Sequence, residues 1–260
     1  MSDTQRGLLP LSAWQALTLR LTVFPGPAAH VDECSGWWEA VARDSPEEVR
    51  SKPKTEKYQA EGPFAQGRLL LNVEPLRIDW IYTAIEDPDA PNPWIGPFEE
   101  NLKEFQKLAS RWFELEEPLS ANRLAFGAEL LSPVETLEIG YRQLSLYLPF
   151  DLDPTDVSDF LYQINRHRDS HSGVEGLSIN RLTRWSVAMF WRERFLIPPL
   201  PTGRQVQRLH KPTYSYACRL GLDISTPSEF EGELSPQEQS TVFEELVALG
   251  VEIVREGDIP

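Results

Sequence analysis

A chain of 260 residues with 41 % apolar and 10 % aromatic content can bury a substantial core, and its composition is not that of a disordered segment. Its formal net charge of −15, from 40 Asp/Glu against 25 Lys/Arg, favours solubility and opposes long-range attraction to bare nucleic acid. No apolar run approaches the roughly eighteen residues of a membrane-spanning helix, so no membrane partner is expected.

In chain order, Leu17, Leu19, Leu21 and Val23 alternate with Thr18, Arg20 and Thr22, the two-residue period of a half-buried strand. The next stretch has no clear period. Leu69 to Val73 and Leu76 to Tyr82 then read as two strands hinged at Glu74-Pro75. Phe98, Leu102, Phe105, Ala109, Trp112 and Phe113 are spaced by three or four and predict an amphipathic helix. A fourth strand carries Leu124, Phe126, Ala128 and Leu130. Three helix starts follow from a capping side chain, a proline and an acid: Ser132-Pro133 with Glu135, Asp153-Pro154 with Asp156, and Ser235-Pro236 with Glu238. The first leads into the stripe Val134, Leu137, Tyr141, Leu144 and Leu148, and the last ends at Gly250. Ile179, Thr183, Trp185, Val187 and Met189 share one face of a fifth strand with Arg181. Tyr214, Tyr216, Cys218, Leu220, Leu222 and Ile224 form a sixth, with Arg219 and Asp223 facing the other way. Proline-rich loops are expected over 87–97 and 197–213.

Alternating rather than continuously apolar strands predict an α+β fold, a mainly antiparallel sheet with amphipathic helices packed on one face. Two α+β halves, residues 1–150 and 151–260, are expected to part near Pro149 to Asp153, either as two units or as one continuous domain. The tripeptide Asn122-Arg123-Leu124 recurs at Asn180-Arg181-Leu182, too short an echo to establish a duplication.

The charge is unevenly distributed. Residues 164–211 contain nine Lys/Arg and three Asp/Glu, a balance of +6, while the rest of the chain stands at −21. Arg181, Arg184, Arg192 and Arg194 are interleaved with Trp185 and Trp191; Arg166 and Arg168 precede them, and Arg204 and Arg208 follow. Guanidinium forks bind carboxylate or phosphate, and aromatic rings anchor a partner or stack bases. The competing account is internal: the same arginines pair with some of the chain's many carboxylates.

His167 and His171, with Asp169 between them, could ligate a metal if one helix ran through all three, but 169–176 reads as a turn and the arginines repel a cation. His30 and Cys34 have the spacing of half a zinc site without the other half. Gly62, Gly67 and Arg68 lack the Lys and Ser/Thr of a phosphate loop and precede a strand. No catalytic set is complete and no cofactor is implied. Cys218 alternates in phase with apolar neighbours and reads as core. Two cysteines make no disulfide framework, and Met1 to Arg6 lead into a mixed segment rather than an apolar signal core, so a cytoplasmic location is expected.

Asn122 to Gly127 opening a strand, the later run Arg219 to Ile224, and a final helix with Phe243 and Leu246 together resemble a sporadically distributed family of uncharacterised prokaryotic proteins of about this length. The likeness covers residues 120 to 250 and implies an accessory protein of a prokaryotic cytoplasm; it brings no catalytic residues. The expected function is therefore non-enzymatic binding of a protein partner, as an accessory or immunity-type component of a defence or toxin system. RNA or single-stranded DNA on residues 164–211 is the alternative, and a metal-dependent enzyme using His167, His171 and Asp169 ranks third.

Overall fold

The strands expected from two-residue alternation all form, and they join in one antiparallel sheet. A computed structural model describes residues 7–30, 34, 36–85, 94–117, 119–155, 157–192 and 213–258, with the backbone alone at 191, 192, 213 and 214. The strands are β1 (Gln15–Pro25), β2 (Glu48–Lys52), β3 (Lys57–Phe64), β4 (Gly67–Glu74), β5 (Arg77–Thr83), β6 (Gly96–Pro97), β7 (Ala121–Val134), β8 (Leu161–Asp169), β9 (Ser178–Arg192) and β10 (Thr213–Ser225). The helices are α1 (Trp37–Ala42), α2 (Phe98–Phe113), α3 (Leu137–Ser145) and α4 (Pro236–Glu256).

Across the sheet the order is β2-β3-β4-β5-β1-β7-β10-β9-β8, with β6 beside β1. This order is symmetric about the β1·β7 pair. In the first half, the meander β3-β4-β5 returns its last strand to β1 and is followed by α2. In the second, the meander β8-β9-β10 returns its last strand to β7 and is followed by α4. Each half also places a short helix after its first strand, α1 or α3. The halves therefore repeat one topology and meet at 114–120, well before Pro149. The Asn-Arg-Leu echo is not the trace of this repeat, since it falls on β7 and β9, which are not equivalent strands.

All four helices lie on one face. Trp38 of α1 and Trp112 of α2 have ring centroids 6.0 and 5.9 Å from that of Trp80 on β5. Gly140 of α3 lies against Val187 of β9, and Phe243 of α4 meets Phe126 of β7 edge to face. One buried cluster runs beneath them through both halves, from Leu71 and Trp80 to Leu220 and Trp185. Cys218 belongs to it, and burial pushes its thiol up to about 12.

Three predicted boundaries are corrected. Ser132 and Pro133 end β7 instead of starting a helix: β1 pairs no further than Leu131, so Pro133 sits where β7 has only β10 as neighbour and needs one donor fewer. Thr136 takes over the cap, its hydroxyl accepting the Ile139 N–H. Asp153 starts no helix either; its carboxylate accepts the Thr155 N–H in a local turn, and the chain enters β8. A short polar side chain before proline serves a turn as readily as a cap. The predicted partner Asp156 lies outside the described residues, as do 86–93 and 193–212, which hold most of the two proline-rich loops. Finally, α4 continues through Gly250 to Glu256. A Cβ at Gly250 would come within 2.9 Å of the Phe126 ring, so the glycine permits close packing, and the helix stops at Gly257 with φ of 83°.

The Ser235 cap forms as expected, as a full capping box with Glu238. The Ser235 hydroxyl and backbone hold the Glu238 carboxyl below its usual range. Ser235→Ala is expected to cost about 1 kcal/mol in urea unfolding. Because the Glu238 pKa is depressed in the folded state, its own contribution is present above the ordinary glutamate range and is lost as pH falls through the depressed value.

Candidate interaction surface

Strand alternation divides the predicted basic segment between the two faces. Arg166 and Arg168 on β8, and Arg181 on β9, point to the helix side, with Arg166 opposite Arg181 and Arg168 opposite Ile179. There they meet the end of α4. Asp258 accepts from Arg166 Nε at 2.8 Å and Nη2 at 3.2 Å, and from the Tyr162 hydroxyl at 2.7 Å. Glu252 accepts both prongs of the Arg168 fork, at 3.0 and 3.2 Å, and lies 3.9 Å from Arg181 Nη1. Arg181 is only 7 % exposed, and its Nε has no hydrogen-bond partner. Burial pushes the Arg181 guanidinium below its ordinary value, and the neighbouring Arg168 adds to this. These three arginines tie the sheet to the last turns of α4.

Trp185 is fully buried, stacked on Tyr147 at 5.2 Å and edge-on to Trp14 at 6.3 Å. It supplies packing and presents no free ring face. Arg184 points the opposite way, to the helix-free face, and donates to Gln163 Oε1 at 2.8 Å. Trp191 and Arg192 end β9, where only the backbone is described, and Arg194, Arg204 and Arg208 lie outside the described residues. His167 sits on β8 opposite Asn180, Asp169 ends that strand, and His171 follows in the turn, where its backbone N–H donates to Glu245 at 2.7 Å. The helix that would have aligned the two histidines is thus a strand and a turn. Among the described residues no three His, Cys, Asp or Glu side chains group so as to hold a metal ion.

The helix-free face of the sheet was not legible as a surface from sequence. Register places nine cations on it: Arg50, Lys52, Lys57, Arg68, Arg77, Arg20, Arg123, Arg219 and Arg184. Six carboxylates share it: Glu48, Glu61, Glu74, Asp79, Glu129 and Asp223. In a chain of net charge −15, these strands present a surplus of cations on one face while the remainder is acidic. The surplus therefore sorts by face, and two-thirds of it comes from strands before α2.

The side chains interlock across the strands. Arg50 pairs with Glu48 at 2.6 Å, Arg68 with Glu47 at 3.0 Å, and Lys57 with Glu74. Arg77 donates to Asp79 at 2.7 Å, and Asp79 also accepts from the buried Thr22 hydroxyl at 2.6 Å. Farther on, Arg20 lies 3.5 Å from Asp223, and Arg219 donates to Glu129 at 2.8 Å. Gly127 makes room for the Arg20 guanidinium, which would lie 3.1 Å from a Cβ there. The Lys57 hydrogen bond holds the Glu74 carboxyl below its usual range, and Arg50 does the same for Glu48. Between β2 and β5 the face dips into a concavity of about 430 Å³, where Arg50, Lys52, Lys57 and Arg77 meet Glu74 and Asp79. Lys52 is exposed there, and no carboxylate among the described residues lies within ion-pair distance of it. Such a surface offers guanidinium, ammonium and amide donors to carboxylates of another molecule.

No family model matches this chain, and no curated protein matches it. Among the described residues no helix is long and apolar enough to cross a membrane.

Proposed function

We propose that this chain is a non-enzymatic binding protein that receives an acidic segment of a protein partner on the helix-free face of its sheet. The observation that carries this reading is the surplus of cations on one face of a strongly acidic chain, deepest in the concavity beside β2. Local complementarity of this kind selects partner and register more than it adds raw affinity. A protein partner is favoured over single-stranded nucleic acid because the rings that could stack bases are engaged internally. Trp185 is buried, and Phe24, at the centre of the face, has the Arg77 and Arg123 guanidinium groups 5.9 and 5.0 Å from its ring. An accessory role of the immunity type, in a prokaryotic cytoplasm, is the setting this reading assigns.

The test is charge reversal where no fold contact is lost. Arg50→Glu with Lys52→Glu lies on the exposed edge strand β2. The doubly substituted protein is expected to unfold at the same temperature and to recover about tenfold less partner from cells of the encoding organism, a change of roughly 1.4 kcal/mol. Undiminished recovery would overturn the reading. A gel shift of single-stranded RNA at low salt that disappears in the same variant would replace it with the nucleic-acid alternative.

A further inference from the structure

The β8 ladder on β9 runs from Asp169 opposite Ser178 to Leu161 opposite Ser186 and stops, whereas β9 continues against β10 to Arg192. Among the described residues, no backbone hydrogen bond joins 187–192 to anything outside that ribbon. One side of this stretch therefore presents open N–H and C=O groups. The two terminal strands of the sheet are guarded as edges usually are, β2 by Glu48, Arg50 and Lys52 and β8 by Arg166, His167 and Arg168. The β9 stretch has no such guard: Val187, Ala188, Met189, Phe190 and Trp191 precede its first charge, Arg192, and Met189 is 55 % exposed.

We infer that the β9 edge at 187–192 accepts an extended peptide as an added strand, apolar at its centre and acidic at its flanks. Backbone pairing supplies the affinity, and alternate side chains supply the selection. The charge follows from the ribbon itself. From 176 to 192 the chain has no Asp or Glu, and β10 has none before Asp223, while Arg184, Arg192 and Arg219 lie on the two strands. A second copy of this chain laid antiparallel on the same edge would set these arginines against their own kind, so a partner's acidic strand is the occupant favoured. This inference is independent of the face-binding proposal, whose variants lie at the far edge of the sheet.

The test uses amide hydrogen exchange on the full chain with a probe peptide of alternating Val and Thr flanked by paired glutamates. Exchange at 187–192 is expected to slow by about tenfold when the peptide is added, with 48–52 and 161–169 unchanged. A lysine-flanked peptide, or one N-methylated at alternate residues, is expected to give no protection. Met189→Asp, at an exposed side chain, is expected to weaken the effect without lowering the melting temperature. Absence of protection, or protection at the other two edges, would overturn the inference. Protection that grows with protein concentration alone would assign the edge to a second copy instead.

Discussion

Replacing Trp185 by alanine is expected to lower the unfolding free energy by about 3–5 kcal/mol, read from urea denaturation with an unchanged slope. The ring is fully buried on the helix side of β9, between Tyr147 and Trp14. What it supports is a junction of distant segments. The Tyr147 hydroxyl accepts the Leu9 N–H at 2.9 Å, and the Tyr147 carbonyl accepts the Asp258 N–H at 2.8 Å. Gly257 lies so close that a Cβ there would fall 2.4 Å from that same carbonyl oxygen. Emptying the Trp185 site removes the surface on which Tyr147 stacks, so both ends of the described chain lose an anchor together. Trp185→Phe keeps a ring in the site and is expected to recover most of the loss. A partner-anchoring role would give the opposite pattern, with stability kept and affinity lost.

The sequence made the face of each residue legible wherever a strand has one wet and one dry side. Arg181 shares the phase of Ile179, Thr183 and Trp185, which already places it inward. Its surroundings were not legible, because Glu252 and Asp258 come from a helix end far along the chain, and contact between distant segments leaves no local period. Edge strands were lost for a related reason. Every residue of β2 is exposed, so no hydrophobic alternation marks it, although Glu48, Arg50 and Lys52 alternate in the manner of a charged edge. The start of β8 was obscured by Asp153-Pro154, whose chemistry fits cap and turn equally, while Tyr162 and Ile164 alternating with Gln163 and Asn165 carried the correct period. The basic segment was real as composition. Its meaning changed once alternation sent Arg166, Arg168 and Arg181 inward and Arg184 outward.

Asp258→Ala is expected to destabilise the fold by about 3 kcal/mol, far more than loss of an exposed ion pair. Asp258 is 5 % exposed and takes three hydrogen bonds, two from Arg166 and one from the Tyr162 hydroxyl. Removing it leaves Arg166, itself 24 % exposed, beside Arg168 and the poorly partnered Arg181, with Glu252 the remaining carboxylate of the cluster. The penalty comes from cations left without a counter-charge, so it should shrink when one of them is removed. In an Arg166→Met background, the same Asp258→Ala change is expected to cost about 1–2 kcal/mol less, measured as a double-mutant cycle in urea. The coupling should change little with added salt, because ions screen partly buried pairs weakly. A coupling near zero would mean that Asp258 acts through Tyr162 and the chain end alone. The three arginines would then be available to an external carboxylate, which is the role their composition first suggested.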